Sequence, residues 1–233
     1  MPDPLPIVLI PGLTCSARLY ADEIPALWRF GPVTVADHTR DDSMAAIAGR
    51  ILAAAPPRFA LAGLSMGGYI AFEIMRQTPE RVAKLALLDT GARAETPEQT
   101  ERRKVVIALA KSGRYAEVPD IAFPIYVHRN RHHDAGLKQT VRMMAAETGV
   151  EAFLRQQQAI IGRPDSRPGL GAIKCPTLVL VGDSDEATPP ELAREIAGAI
   201  GGARLVVIPA CGHLSTLEQP ETVTNALVDW MNW

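Results

Sequence analysis

Short apolar runs alternate along the chain with longer segments in which apolar residues recur at helical spacing. The runs are rich in Val, Ile, Leu and Ala without polar alternation, a pattern typical of strands covered on both faces. Strands are predicted at Ile7–Ile10, Val33–Ala36, Phe59–Ala62, Lys84–Leu88, Thr177–Val181 and Leu205–Ile208. Helices are predicted at Met44–Ala54, Met66–Gln77, Glu191–Ala199 and Glu221–Trp233, with Ser43 and Thr188 as candidate N-caps. This alternation predicts an α/β fold with a mostly parallel sheet of about six strands covered by helices.

One segment departs from the alternation. From about Arg93 to Pro168 no strand-like run occurs, and helical spacing is present in pieces such as Arg102–Lys111 and Gln139–Ile161. We interpret residues 93–168 as a helical cap inserted into an α/β core formed by residues 1–92 and 169–233. Such an insertion at the carboxyl edge of a sheet is placed to cover a site. The alternative is a helical subdomain that only stabilises the core.

Composition excludes several classes of protein. The chain has 233 residues and a formal net charge of −2, which predicts one globular domain and no basic face for nucleic acid. Its 3 cysteines form neither a disulfide framework nor a metal-ligand spacing. The apolar run Ile7–Ile10 is too short for a signal peptide or a membrane span. We expect a cytoplasmic monomer or homodimer that binds a small molecule and needs no membrane, metal or cofactor.

The most informative motif is Gly-X-Ser-X-Gly around Ser65. The predicted strand Phe59–Ala62 runs into Gly63, Ser65 and Gly67, and the helix follows without a loop. A serine on such a sharp strand-to-helix turn has strained backbone geometry, and glycines at the flanking positions remove colliding side chains. The hydroxyl is then presented at the carboxyl edge of the sheet. The motif predicts a nucleophilic serine, with a purely structural glycine-rich turn as the alternative.

A serine hydroxyl needs a general base and a group that orients the base. His213 follows the last predicted strand, so its loop leaves the same sheet edge as Ser65. Two acids follow strands at this edge: Asp185, after Thr177–Val181, and Asp89. Asp185 gives the chain order Ser, Asp, His and is preferred over Asp89 and over its neighbour Asp183.

Backbone N–H groups and a pocket complete the candidate site. The N–H of Met66 and that of Leu13 are predicted to bind the oxygen of a tetrahedral intermediate, with Thr14 as the alternative to Leu13. The predicted pocket wall is apolar and consists of Leu64, Phe123, Ile125, Tyr126 and Phe153. The alternative is that these aromatic residues simply pack the insertion.

These motifs together resemble those of the α/β-hydrolase family. Leu9-Ile10-Pro11-Gly12-Leu13 is similar to its oxyanion loop, Gly63-Leu64-Ser65-Met66-Gly67-Gly68 to its nucleophile elbow, and Gly182-Asp183-Ser184-Asp185 to its acid loop. Gly212-His213 and Glu218-Gln219-Pro220-Glu221 are similar to its histidine loop and final helix. The resemblance covers nearly the whole chain and implies a Ser65, Asp185 and His213 triad. Family members include carboxylesterases, lactonases, thioesterases, carbon–carbon bond hydrolases, dehalogenases and cofactor-free perhydrolases.

Two departures from the family pattern are visible. Pro11-Gly12 stands where many members have His-Gly, and the chain begins almost directly with the first parallel strand rather than with an antiparallel hairpin. Ser65 argues against dehalogenases and epoxide hydrolases, which carry aspartate at that position. The leading hypothesis is a serine esterase for small or medium hydrophobic acyl groups. The alternatives are an enol-lactone hydrolase or a carbon–carbon bond hydrolase of the same fold, and a non-catalytic ligand receptor.

Overall fold

Six parallel strands form a single sheet in the computed structural model. The structure describes residues 4–233, so residues 1–3 of the predicted core lie outside the described part. The strands are β1 (Ile7–Ile10), β2 (Val33–Val35), β3 (Phe59–Leu64), β4 (Val82–Leu88), β5 (Thr177–Gly182) and β6 (Arg204–Ile208). Their order in the sheet is β2-β1-β3-β4-β5-β6, and every neighbouring pair is parallel. The predicted fold class is therefore confirmed, and all six predicted strands are present.

The hydrophobic core lies on both faces of this sheet. Side chains alternate between faces along a strand, and on β1 Val8 and Ile10 join one buried cluster while Ile7 and Leu9 join the other. Helices cover both clusters because each face is apolar. The α-helices outside segment 93–168 are α1 (Ile24–Leu27), α2 (Met44–Ala54), α3 (Met66–Gln77), α8 (Pro190–Ala199), α9 (Ser215–Glu218) and α10 (Pro220–Asn232).

The two edge strands differ from the sequence prediction. The four central strands are buried along almost their whole length, whereas β2 is half exposed and β6 presents Leu205 and Val207 to solvent. An edge strand has a neighbour on one side only, so the helices that cover the middle of the sheet leave part of it open. The inference that every apolar run is covered on both faces was wrong for β2 and β6.

Segment 93–168 contains no strand, and its α-helices are α4 (Pro97–Leu109), α5 (Val118–Tyr126), α6 (Ala135–Thr148) and α7 (Val150–Ile161). The stretch predicted as Gln139–Ile161 is broken at Gly149, whose φ of 78° ends α6 before α7 begins. Helix α5 has one proline near its start and another inside it. Because prolines are unusual within helices, the sequence pattern did not predict this helix. The division into core and cap stays a prediction.

The N-cap predictions had different outcomes. Ser43 caps α2, because its Oγ accepts a hydrogen bond from the N–H of Ala46 at 3.3 Å. Thr188 does not cap α8, whose N-cap residue is Pro189. The Thr188 hydroxyl instead donates to Asp185 at 2.7 Å. Within residues 4–233 no helix has the length and apolarity that a membrane crossing requires.

Candidate active site

Ser65 lies on the turn between β3 and α3, in strained backbone geometry. Its φ of 56° and ψ of −114° are rarely adopted by residues with a side chain. A Cβ on Gly63 would lie 2.3 Å from the carbonyl oxygen of Gly67, and a Cβ on Gly67 would lie 2.0 Å from that of Ile10. Both clashes are with backbone, so the two glycines of the motif are required for this turn.

A third glycine, Gly68, is also needed at this turn, for a reason that the sequence did not reveal. A Cβ on Gly68 would meet the Oγ1 of Thr90 at 2.4 Å. Thr90 occupies this space because its hydroxyl donates to the carbonyl oxygen of Ser65 at 2.8 Å, while the Ser65 N–H donates to Leu88 at 2.9 Å. The end of β4 thus holds the serine backbone from both sides.

The structure brings Ser65, His213 and Asp185 together. His213 Nε2 lies 2.9 Å from Ser65 Oγ, and its Nδ1 lies 2.8 Å from Asp185 Oδ2. With the ring proton on Nδ1, the imidazole donates to Asp185 and accepts from the Ser65 hydroxyl. His213 and Asp185 are both buried, whereas Ser65 keeps partial access to solvent.

Asp185 is held as a carboxylate by several donors. Its Oδ1 accepts the N–H groups of Ala187 and Thr188, each at 2.8 Å, and its Oδ2 accepts the Thr188 hydroxyl and His213 Nδ1. Burial alone would raise the pKa of Asp185, but the nearby His213 and these hydrogen bonds lower it below its usual value. Thr188 is therefore part of this polar group, a role that no sequence motif indicated.

His213 is a stronger base than a free histidine. Burial disfavours its charged form, but the Asp185 carboxylate and its hydrogen bond outweigh this effect and raise the pKa above 6.5. The aromatic ring of Tyr126 packs on the imidazole with a centroid distance of 5.1 Å. The Tyr126 carbonyl oxygen accepts the N–H of His213 at 2.8 Å and that of Leu214 at 3.2 Å, which joins the end of α5 to the histidine loop.

Asp89, the alternative acid, has other partners. Its carboxylate is fully buried and accepts hydrogen bonds from the N–H of Gly182 at 3.0 Å and from the Ser215 hydroxyl. Burial, and then the charge of Asp185, raise the pKa of Asp89 well above its usual value. Asp183 is exposed and bonds Ser184. Of the three acids considered, Asp185 is the one in hydrogen-bond contact with His213.

The loop after β1 is fixed in a way that leaves the Leu13 N–H available. The Thr14 N–H donates to Gln156 Oε1 at 3.1 Å, so the alternative donor is already occupied. Within residues 4–233 the N–H groups of Leu13 and Met66 have no hydrogen-bond acceptor. The buried His38, whose pKa is lowered by burial, donates from Nε2 to the Gly12 carbonyl oxygen at 2.9 Å and supports this loop.

Four of the five predicted pocket residues lie at two adjoining cavities. Leu64 and Tyr126 line a narrow space directly at Ser65 and His213. Ile125, Tyr126 and Phe153 line a cavity of about 280 Å³ between α4, α5 and α7. Leu13 and Tyr126 border both spaces, so they connect the serine to the larger cavity. Phe123 instead packs in the core beneath α5 and borders neither space.

A parallel α/β sheet with a strained serine at its carboxyl edge, hydrogen-bonded to a histidine and an aspartate, is the architecture of the α/β hydrolases. The family model described as "Alpha/beta hydrolase family" matches residues 7–226, and the chain belongs to this family. The membership confirms the resemblance inferred from the motifs. It supports hydrolase activity and leaves the substrate open.

Solved structures and a curated relative agree with this membership. A thermophilic esterase from Thermogutta terrifontis is 30% identical with a TM-score of 0.88, covering 98% of this chain and 89% of that one. The enol-lactonase from Burkholderia xenovorans LB400 is 25% identical with a TM-score of 0.89, covering 99% and 92%. The pimeloyl-[acyl-carrier protein] methyl ester esterase of Neisseria meningitidis serogroup B is 26% identical over 235 residues, covering 95% and 91%.

Proposed function

We propose that the protein is a serine hydrolase that cleaves carboxylic esters of small or medium hydrophobic acyl groups through an acyl-enzyme on Ser65. The observation that carries the proposal is the continuous hydrogen-bonded series from Ser65 Oγ through His213 to Asp185. In the first step Ser65 Oγ attacks the ester carbonyl while His213 Nε2 takes its proton. His213 then protonates the leaving alcohol, which departs as the acyl-enzyme forms.

Water completes the reaction in the second step. His213 removes a proton from a water molecule, which attacks the acyl-enzyme carbonyl, and then returns the proton to Ser65 as the acid leaves. Asp185 keeps the imidazole in the required orientation and stabilises its charged form. The free N–H of Leu13, in the loop after β1, and that of Met66, at the N-terminal end of α3, are assigned to the developing oxyanion.

A lactonase is the second candidate, because the enol-lactonase from Burkholderia xenovorans LB400 aligns over 99% of this chain. Opening a lactone uses the same two steps, with the leaving alcohol tethered to the acyl group. The apolar part of the larger cavity wall, which includes Val106, Ile121 and Phe153, suits a hydrocarbon portion in either substrate. We assign no role in binding to Phe123.

Covalent labelling tests the proposal without knowledge of the substrate. A fluorophosphonate probe is expected to add one phosphonyl group at Ser65, because the activated hydroxyl displaces fluoride, and peptide mass spectrometry locates the adduct. Heat-denatured protein is the control and stays unlabelled. A panel of nitrophenyl esters of rising chain length, with lactones alongside, then ranks the substrates. A native protein that neither labels nor hydrolyses any member of the panel contradicts the proposal.

The pH dependence of kcat/KM gives a second prediction. The imidazole accepts the Ser65 proton only when it is neutral, so the rate should rise with pH and reach half its plateau above pH 6.5, where the raised pKa of His213 lies. Asp185→Asn should lower kcat by about 10⁴-fold and move this midpoint to lower pH, because burial then acts without the carboxylate. The exposed Asp183→Asn is the matched control and should keep the profile; an unchanged midpoint in Asp185→Asn would refute the assignment.

A further inference from the structure

A buried ion cluster formed by Glu95, Arg103 and Arg163 lies beside the larger cavity. Arg103 Nε donates to one oxygen of the Glu95 carboxylate at 2.6 Å, and Arg163 Nη1 bonds the other oxygen. The Glu95 side chain is only 1% exposed. Two guanidinium groups therefore share one carboxylate, and two positive charges with one negative charge leave one positive charge unbalanced.

Arg103 is the member of this cluster that faces the cavity. Its Nη1 donates to the buried Gln157 at 3.0 Å, while its Nη2 has no hydrogen-bond acceptor within residues 4–233. The side chain borders the cavity and is 23% exposed. Arg163 is enclosed instead: its Nε donates to Arg93, and its guanidinium lies 4.4 Å from the centre of the Tyr69 ring. The free donor thus belongs to a guanidinium that is already fixed in position.

The cavity that Arg103 borders adjoins the narrow space at the nucleophile. Tyr126 borders the same cavity as Arg103, and it also borders the narrow space at Ser65 and packs on His213. Its hydroxyl has no hydrogen-bond partner within the described residues. The space at Ser65 and the cavity at Arg103 therefore adjoin at Tyr126, and the apolar Phe153 lies on the cavity side.

We propose that Arg103 binds a carboxylate of the substrate, which is then an ester or lactone with a negative group several bonds from the scissile carbonyl. This rests on the proposed function, since it names the substrate class of the same site. Arg103 is oriented by Glu95 and Gln157, which leaves its Nη2 free to donate to a carboxylate. Such a ligand supplies the second negative charge that the cluster lacks.

Two other charged residues border the cavity without forming such a site. Arg102 and Glu186 are exposed, so solvent and salt screen their charges. They also have opposite signs. Arg103 is the one charged side chain at this cavity, within residues 4–233, that combines partial burial, fixed neighbours and an unused donor.

A matched pair of esters tests the inference. Mono-nitrophenyl adipate and nitrophenyl hexanoate have the same leaving group and the same number of acyl carbons, and differ in the terminal carboxylate. We expect Arg103→Met to lower kcat/KM for the adipate ester by about 10- to 100-fold and for the hexanoate ester by less than about threefold. A second pair, phenyl butyrate and its 4-carboxyphenyl analogue, places the carboxylate on the alcohol side. A selective loss in either pair supports the proposal.

Two further variants separate recognition from stability. Arg103→Lys keeps the charge and should retain part of the preference, and thermal unfolding shows whether each variant is folded. Arg102→Met, on the same helix but exposed, should change both esters equally and little. A loss for the adipate ester as large in Arg102→Met as in Arg103→Met overturns the assignment to Arg103.

Direct binding makes failure of this inference distinguishable from failure of the proposed function. Calorimetry with adipate on the Ser65→Ala variant should show binding that the added Arg103→Met substitution abolishes, and this needs no catalysis. Arg103-dependent binding in a protein without esterase activity would support the subsite and contradict the hydrolase. Hydrolysis of nitrophenyl hexanoate with no charged-ester preference in either pair and no adipate binding would overturn the subsite and leave the hydrolase intact.

Discussion

Ser65→Ala is expected to reduce ester hydrolysis by about 10⁴- to 10⁶-fold, the loss typical of serine triads deprived of their nucleophile. The substitution removes only the hydroxyl that lies 2.9 Å from His213 Nε2. Without this oxygen, residue 65 cannot form the ester bond of the acyl-enzyme. The backbone bonds of residue 65 to Leu88 and Thr90 remain, and the fold should persist. Steady-state hydrolysis of a nitrophenyl ester measures the effect, with thermal unfolding as the test of folding.

An exposed serine provides the matched control for this variant. Ser184 lies on the loop before Asp185, and its hydroxyl donates to Asp183 rather than to the three central side chains. Ser184→Ala should keep turnover close to the wild-type value. A Ser65→Ala protein that retains more than about a few per cent of wild-type turnover would remove the basis of the proposed mechanism.

Glu23→Gln is expected to stabilise the protein at alkaline pH. Glu23 is fully buried at the start of α1, and within residues 4–233 neither of its carboxylate oxygens has a hydrogen-bond partner. Burial raises its pKa from 4.5 to about 8. The folded protein therefore holds a proton that the unfolded chain has released, and stability falls as pH rises from about 4.5 to about 8.

The size of the effect follows from the pKa difference. At pH 9 Glu23 is ionised in both the folded and the unfolded protein, and its buried charge lowers the free energy of unfolding by roughly 2–5 kcal/mol. The neutral amide of Gln avoids this cost, although its own polar groups also stay without partners. Thermal unfolding of wild type and Glu23→Gln at pH 5 and pH 9 measures it, and the curves should differ most at pH 9. Glu221→Gln on the exposed face of α10 is the control and should match wild type at both values. An equal difference at both pH values would contradict the raised pKa.

The sequence predicted those features of the site that depend on neighbours along the chain. Gly63, Ser65 and Gly67 lie within five consecutive residues, so the turn that needs them is readable as a motif. The strand-to-loop position of His213 is readable too, because carboxyl ends of parallel strands meet at one edge. Helix α2 has the predicted bounds, Met44–Ala54, since its apolar spacing and its Ser43 cap are local signals.

Contacts between distant segments explain what the sequence left open. Asp89 and Asp185 both follow strands at the same edge, and only the fold shows that Asp185 meets His213 while Asp89 meets Ser215. The packing of Thr90 against Gly68 joins the loop after β4 to the first turn of α3. Phe123 is aromatic and apolar, as pocket residues often are, but the packing of α5 turns its side chain into the core. No motif links Glu95 to both Arg103 and Arg163.

The backbone link between Tyr126 and the histidine loop limits how this molecule can admit a ligand. Because the Tyr126 carbonyl holds the N–H groups of His213 and Leu214, any swing of α5 away from the sheet would carry the proton acceptor with it. Within residues 4–233 no backbone hydrogen bond joins α4 to the histidine loop, and α4 is followed by a π-helical turn in which Gly113 has a φ of 87°. A ligand that displaced α5 would therefore also disturb the alignment of His213 with Ser65.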